Sequence, residues 1–368
     1  MMHDHDQSSS EQEQEELLDL NTVMHSFGVH EWKSLGPADD MQPQALPLLV
    51  EIEGQRYLLR ERPEGLVEED LNHRYDFQRY LQQTGIPIPS LLLTPQGESV
   101  VIVGEDAFEV QQWASGELFS TANPRSLDWV AFAGTMLGRI HRASSHYIGP
   151  THHWPSEVQM GSLVQSWLNL ARARADQSEI QAIAVALSHW ADQWEAVLPS
   201  AMMSIGTGKG LPAFHIHGDY HALNLRFGSF GVTSVIGLEA SRWEKRIFEI
   251  ATGLFSFSAL SWTAGSGETR PLVKRGFEPE RARRFLQAYA EVYPPVPGEA
   301  ELLTDALMLI APIATINGPL EALFYVQEEP DPSLIDDVLD RLTWASSLPA
   351  WLNRVRRSLP DMWLVHRG

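Results

Sequence analysis

The 368-residue sequence predicts an α+β protein of two lobes, a small β-rich N-lobe followed by a larger, mainly helical C-lobe. Three observations carry this expectation. Between about Leu46 and Gly116, short apolar runs alternate with Gly- and Pro-containing turns. From Asp128 onward, apolar residues recur at helical spacing over long stretches. Those helices are interrupted once, at Phe214–Ser241, by FHIHGDYHALNLRFGSFGVTSVIGLEAS, a polar loop beside strand-like runs.

In chain order, residues 1–20 are expected to form a disordered acidic tail, because MMHDHDQSSSEQEQEE has almost nothing to bury. It has neither the basic start nor the apolar centre of a signal peptide, and His3 and His5 are read as part of the tail. The N-lobe is assigned to 21–113. Its strands LPLLVEIEG and QRYLLRERP meet at Glu53-Gly54-Gln55, a hairpin turn. A helix over Glu68–Thr84 places Leu71, Tyr75, Phe77 and Leu81 on its apolar side and stops at Gly85. Strands follow in LLLTPQGESVVIVG and AFEVQQWASG.

The C-lobe is assigned to 114–368. DWVAFAGTMLGRIHRAS starts a helix with Asp128 as N-cap and Trp129, Phe132, Met136, Leu137 and Ile140 on one face. Gly138 would allow close approach of a neighbour, and His141 is read as a packed, hydrogen-bonded residue. Residues 178–198 form another helix, whose Trp190 and Trp194 stripe reads as core. IGTGKG at 205–210 lacks G-x-x-x-x-G-K-[ST] and is read as a connector. Four later stretches read as helices: RIFEIATGLFSFSAL, RARRFLQAYAEVY, Leu302–Val326 and SLIDDVLDRLTWASSL. Residues 263–279 and 293–298 read as loops.

Forty-eight acidic against 27 basic side chains give a net charge of −21 and a pI near 5.0. That balance disfavours nucleic acid and anionic membranes as partners and suits a neutral or cationic small molecule. The absence of cysteine excludes disulfides, thiolate metal sites and a cysteine nucleophile, and fits a cytoplasmic protein. No run of about 18 apolar residues occurs, so no membrane span is expected.

The loop at 217–224 holds His217, Asp219, His221 and Asn224 within eight residues, beside apolar strands. Polar groups there are costly unless hydrogen-bonded, metal-bound or catalytic. HGDYHALN, followed by a hairpin and IGLEASRW, resembles the catalytic segment of the aminoglycoside phosphotransferase family, small-molecule kinases with a protein-kinase-like fold. The resemblance spans roughly residues 45–330. It implies an ATP-dependent phosphotransferase, using ATP or another nucleoside triphosphate with Mg²⁺, that phosphorylates a hydroxyl of a small molecule. Asp219 matches the catalytic base, His217 the histidine that braces the catalytic loop, and Asn224 the metal-binding asparagine.

The family's I-D-x-E tetrad appears as Ile236-Gly237-Leu238-Glu239, so Gly237 stands at the main magnesium aspartate. Glu239, two residues on, would share a strand face with position 237 and so becomes a candidate metal ligand. Glu249 stands where a loop-bracing aspartate is usual. Tyr57-Leu58-Leu59-Arg60 matches the strand that carries a phosphate-binding cation, which makes Arg60 that cation. Gln112 and Trp113 fall at the hinge that would hold adenine. The helix glutamate that normally pairs with the cation aligns with Arg74, with Glu68, Glu69 and Asp76 nearby, and no Gly-rich nucleotide loop is recognised. These departures leave a catalytically degenerate kinase fold as the alternative. His215-x-His217-x-Asp219-x-His221 also resembles the ligand run of metallohydrolases, with Tyr220 out of register.

Overall fold

A computed structural model describes residues 20–38, 47–62, 68–104, 106–149, 160–261, 272–273, 278–316, 320, 323–324 and 329–364. The tail expected at the N-terminus, most of the loop over 263–279 and the end of the helix expected over Leu302–Val326 lie outside them. The chain divides into two compact units, one of residues 1–76 and 88–115, the other of residues 77–87 and 116–368. The β-rich unit and the larger helical unit are the α+β, kinase-like architecture anticipated from the sequence.

The first unit is built on a five-stranded antiparallel sheet in the order β1-β2-β3-β5-β4. Its elements are α1 (20–26), β1 (Lys33–Pro37), β2 (Leu48–Ile52), β3 (Gln55–Arg62), the first half of α2 (Glu68–Gln83), β4 (Val101–Val103) and β5 (Asp106–Gln112); α2 from residue 77 on belongs to the other unit. The pleat sorts side chains by alternation. Leu59 and Val110, a cross-strand pair, face a core with Val23, Met24, Phe27, Val50, Ile52 and Val101. Arg60, Arg62, Glu109 and Gln111 alternate with these residues and turn to the other face. Neither α1 nor β1 was anticipated. The first is only two turns long, and the second, KSLGP, carries a glycine and a proline that mask a strand pattern.

The second unit runs α3 (Ser126–Ser144), α4 (Met160–Gln177), α5 (Gln181–Glu195), α6 (Leu198–Thr207), β6 (Ala213–Ile216), β7 (Leu225–Phe227), β8 (Val232–Val235), β9 (Arg242–Lys245), α7 (Arg246–Ser258), α8 (Pro279–Val292), α9 (Leu303–Ala314), α10 (Ile335–Val355) and α11 (Ser358–Trp363). Helices α3 and α8 touch at Gly134 and Gly138. A Cβ at 134 would lie 2.2 Å from the Phe285 carbonyl oxygen, and one at 138 would lie 2.8 Å from Val292 Cβ. Trp190 and Trp194 are fully buried, so their stripe is core. Every residue of α7 except Thr252 is buried, Arg246 and Glu249 included.

Three local expectations are corrected. Asp128 does not cap α3: the helix begins at Ser126, after a turn set by Asn123, whose Oδ1 accepts from Arg125 N–H. Asp128 lies in the first turn, where its charge favours the helix N-terminus. Ile205, Gly206 and Thr207 are the last turn of α6 and not a connector, which starts only at Gly208. Helix α4 went unanticipated because ARARADQ ends it in a polar run that dilutes its apolar face.

Candidate active site

The polar loop 217–224 hangs between two two-stranded ribbons. β6 enters it paired with β9, and β7 leaves it paired with β8. Both loop ends are therefore set by backbone ladders. The middle is set by one carboxylate from α7. Glu249, with its side chain almost fully buried, accepts from the N–H groups of His217 (3.1 Å) and Gly218 (2.5 Å) and from His141 Nε2 (2.8 Å). His141 Nδ1 meets the Tyr289 hydroxyl at 2.9 Å, which fixes the imidazole as the Nε2–H tautomer when Tyr289 donates. Burial alone would raise the Glu249 pKa, but the hydrogen bond and charge of the facing imidazoles and the Gly218 N–H hold it below the ordinary carboxylate value. Burial lowers that of His141, against the pull of Glu249.

His217 is wholly buried, and both ring nitrogens are used by backbone. Nε2–H donates to the Ile236 carbonyl (2.8 Å), and Nδ1 accepts from Asp219 N–H (3.2 Å). It ties the loop to the end of β8. At position 218, glycine is obligatory: φ is +90°, and a Cβ would sit 1.9 Å from the Ala240 carbonyl oxygen. Tyr220 anchors the loop from below, its hydroxyl donating to Ala133 of α3 (2.7 Å).

Asp219 is the exception in this braced segment, with its side chain about half exposed (49%). Its Oδ2 accepts from His221 Nε2 (3.1 Å) and from Asn224 Nδ2 (2.8 Å). His221 Nδ1 accepts from Leu223 N–H, so Nε2 carries the proton that faces Asp219. Partial enclosure works against the Asp219 charge, yet the nearby imidazoles and the Asn224 amide outweigh it and hold the carboxyl well below its usual range.

Asn224 spends its amide protons on the Asp219 carbonyl (2.8 Å) and carboxylate. No described residue donates to its Oδ1. The amide fills the space in front of Gly237, where a Cβ would lie 2.5 Å from Nδ2 and 2.9 Å from Oδ1. Gly237 has φ +82°, and this left-handed residue ends the extended run and starts a 3₁₀ turn over Leu238–Ala240. That corrects the placement of Glu239. It sits half-buried on the turn and not on a strand, so alternation does not bring it to the face of position 237.

Among the described residues, no group of three or more His, Cys, Asp or Glu is placed to hold a metal. The histidines of the hydrolase-like run do not converge. His215 is buried against the rings of Phe77 and Tyr147, and His217 is spent on backbone. The loop offers a hard cation one neutral oxygen, Asn224 Oδ1, beside one carboxylate, Asp219. That donor set suits a Mg²⁺ arriving with most of its ligands from phosphate and water, and does not suit a protein-built cage.

The other predicted residues lie in the first unit. Arg60 contacts Glu109 (2.7 Å) and donates to Gln111 (2.9 Å). Arg62 also reaches Glu109 (2.5 Å), as does the Tyr75 hydroxyl (2.7 Å). Glu109, on β5 directly opposite Arg60, was not anticipated as its partner. Its signal was present in the period-two pairing of Arg60-x-Arg62 with Glu109-x-Gln111. The side chains of Glu68 and Glu69 lie outside the described residues. Gln112 N–H is bound to Ser90 O and Trp113 N–H to Arg56 O, both at 2.8–2.9 Å. These two donors are thus engaged within the unit.

The architecture and the loop define a class, the two-lobed kinase-like phosphotransferases. A microcompartment-associated aminopropanol kinase shares the fold with a TM-score of 0.66 at 13% identity, covering 92% of this chain and 98% of that one. An amicoumacin kinase in complex with AMP-PNP and Ca²⁺ aligns with a TM-score of 0.61 at 14% identity, over 97% and 96% of the two chains. Choline kinase from Cryptosporidium parvum Iowa II gives 0.57 at 14% identity, over 88% and 89%. Comparison with curated protein sequences gives no match. The model of the phosphotransferase enzyme family, APH, matches residues 48–301, and the chain belongs to that family. It is thereby a phosphotransferase of the kind that acts on hydroxyl groups.

Proposed function

We propose that the chain transfers the terminal phosphoryl group of a nucleoside triphosphate to a hydroxyl of a small, amine-bearing molecule, with Asp219 as the base. The observation that carries this is the contrast within the loop. His217 and Tyr220 on either side are buried and bonded, while the Asp219 carboxylate stands ionised and half open to solvent. Phosphoryl transfer asks a protein chiefly to position groups and neutralise charge. Asp219 would accept the acceptor's proton, His221 and Asn224 would hold its carboxylate in place, and His217 and Glu249 would fix the backbone that carries it. Arg60 would meet the nucleotide phosphates, and the strand end at Gln112 and Trp113 would meet the base. A Mg²⁺ bound with the nucleotide would neutralise phosphate charge, with Asn224 Oδ1 as its ligand from the chain.

The amine-bearing acceptor is favoured by the net charge of −21, and aminopropanol and choline name two of the similar kinases. Triphosphate consumption over a panel of small amino-alcohols and aminoglycosides, with wild-type protein and Asp219→Asn, tests the reading. Asn cannot take the proton, so turnover should fall by about 10²–10⁴-fold with nucleotide affinity unchanged. Equal turnover in the two proteins would remove Asp219 as base. A second reading, nucleotide binding without transfer, is favoured by the glycine at 237. Nucleotide binding indifferent to Mg²⁺, with no panel member consumed, would select it.

A further inference from the structure

Arg60 is the residue of the first unit expected to meet phosphate, and what holds it is a carboxylate on the neighbouring strand. Glu109 is directly opposite Arg60 in the β3–β5 ladder, and its side chain is fully buried. Its Oε2 accepts from Arg62 and from Tyr75, two aligned donors. Its Oε1 lies 2.7 Å from Arg60 Nη2, yet no described donor is aligned on that oxygen. The hydrogen bond from Arg60 Nη2 goes to Gln111 instead. The carboxylate is thus clamped on one oxygen and offers the other to Arg60 as charge alone.

The asymmetry has a physical consequence. A buried carboxylate strongly attracts a facing guanidinium, and the aligned hydrogen bond to Gln111 sets its direction. Arg60 is thereby held on the sheet face by a carboxylate and an amide oxygen of the neighbouring strand. Its side chain is also the more exposed of the two arginines, at 17% against 9%. We propose that Glu109 is the positioning residue for Arg60 in binding the polyphosphate of the nucleotide, and that Arg62 and Tyr75 hold Glu109 for that purpose. The seat is assembled inside the sheet, from two adjacent strands.

This rests on the reading of Arg60 as a phosphate ligand, and the test separates the two ideas. ATP and adenosine are titrated calorimetrically into wild-type protein, Arg60→Ala, Glu109→Gln and the double variant, well below each unfolding midpoint. Arg60→Ala should weaken ATP by about tenfold or more and leave adenosine unchanged, as the loss of a charge-assisted contact to phosphate requires. Glu109→Gln should reproduce most of that loss, again for ATP only, and the double variant should add little, because both changes disable one unit. ATP affinity within about twofold of wild type in Glu109→Gln, with Arg60→Ala impaired, would make Glu109 merely structural and overturn the proposal. An unimpaired Arg60→Ala would overturn the phosphate role of Arg60 itself, and this proposal with it. Should Glu109→Gln fail to fold, Glu109→Asp retracts the carboxylate but keeps its charge. Weakened ATP binding in that variant supports the proposal, and unchanged binding overturns it.

Discussion

Gly237, expected from the sequence resemblance to stand at the family's magnesium aspartate, is fixed by its surroundings. Two facts constrain it at once, a left-handed φ of +82° and an Asn224 amide in the space a side chain would occupy. Gly237→Asp is therefore expected to destabilise the protein by about 1–3 kcal/mol, through backbone strain and displacement of Asn224. It should not create a metal site unless Asn224 moves. Denaturant unfolding and a Mn²⁺ titration of the purified variant check both halves. A variant as stable as wild type that binds Mn²⁺ would show that the amide yields easily. That Asp219 and Asn224 share one loop was legible in the sequence, because their spacing is local. The turn at Gly237 was not legible, since a glycine in a strand-like run reveals its φ only in three dimensions.

Elements reported themselves unevenly. Helices with a continuous apolar stripe, such as α3 and α5, were readable from periodicity, as were the β2–β3 hairpin and β5. Short or polar elements, α1, β1 and α4, were missed because their packing and not their pattern stabilises them. The contact between α3 and α8 shows how one residue type sets the distance between elements. Gly134→Ala puts a methyl against the Phe285 backbone and should cost about 1–3 kcal/mol. Gly206→Ala, in α6 with nothing within 4 Å of the new methyl, should instead stabilise by about 0.5–1 kcal/mol. Unfolding midpoints of the two single variants, moving in opposite directions, check the packing argument.

At the scale of the molecule, the polar loop at 217–224 is tied to the core by the buried Glu249–His141–Tyr289 chain, and this makes stability depend on pH. His141 in the fold has a value lowered by burial, whereas the unfolded chain takes up a proton near the ordinary value of about 6.5. Below that pH the unfolded state binds more protons, so stability is complete above it and declines as the pH falls, by up to about 1.4 kcal/mol per unit. Glu249 acts in the same direction at lower pH, because its folded value is depressed below that of an ordinary carboxylate. Denaturant melts between pH 7.5 and 5.5 should show a steeper loss for wild type than for His141→Gln, although the variant starts less stable. Parallel slopes would mean that the imidazole takes up its proton in the fold as it does in the unfolded chain. His141 was legible as a packed residue, but its partners lie 108 and 148 residues away and no local pattern announces them.

The mutual exclusion at 224 and 237 also bears on how such a chain can change over generations. While Asn224 keeps this rotamer, an aspartate at 237 arrives first as a defect, so the two positions are epistatic. A carboxylate at 237 would need residue 224 or the 3₁₀ turn beyond it to loosen. The glycine works as a ratchet: easy to enter by deleting a side chain, and hard to leave by adding one.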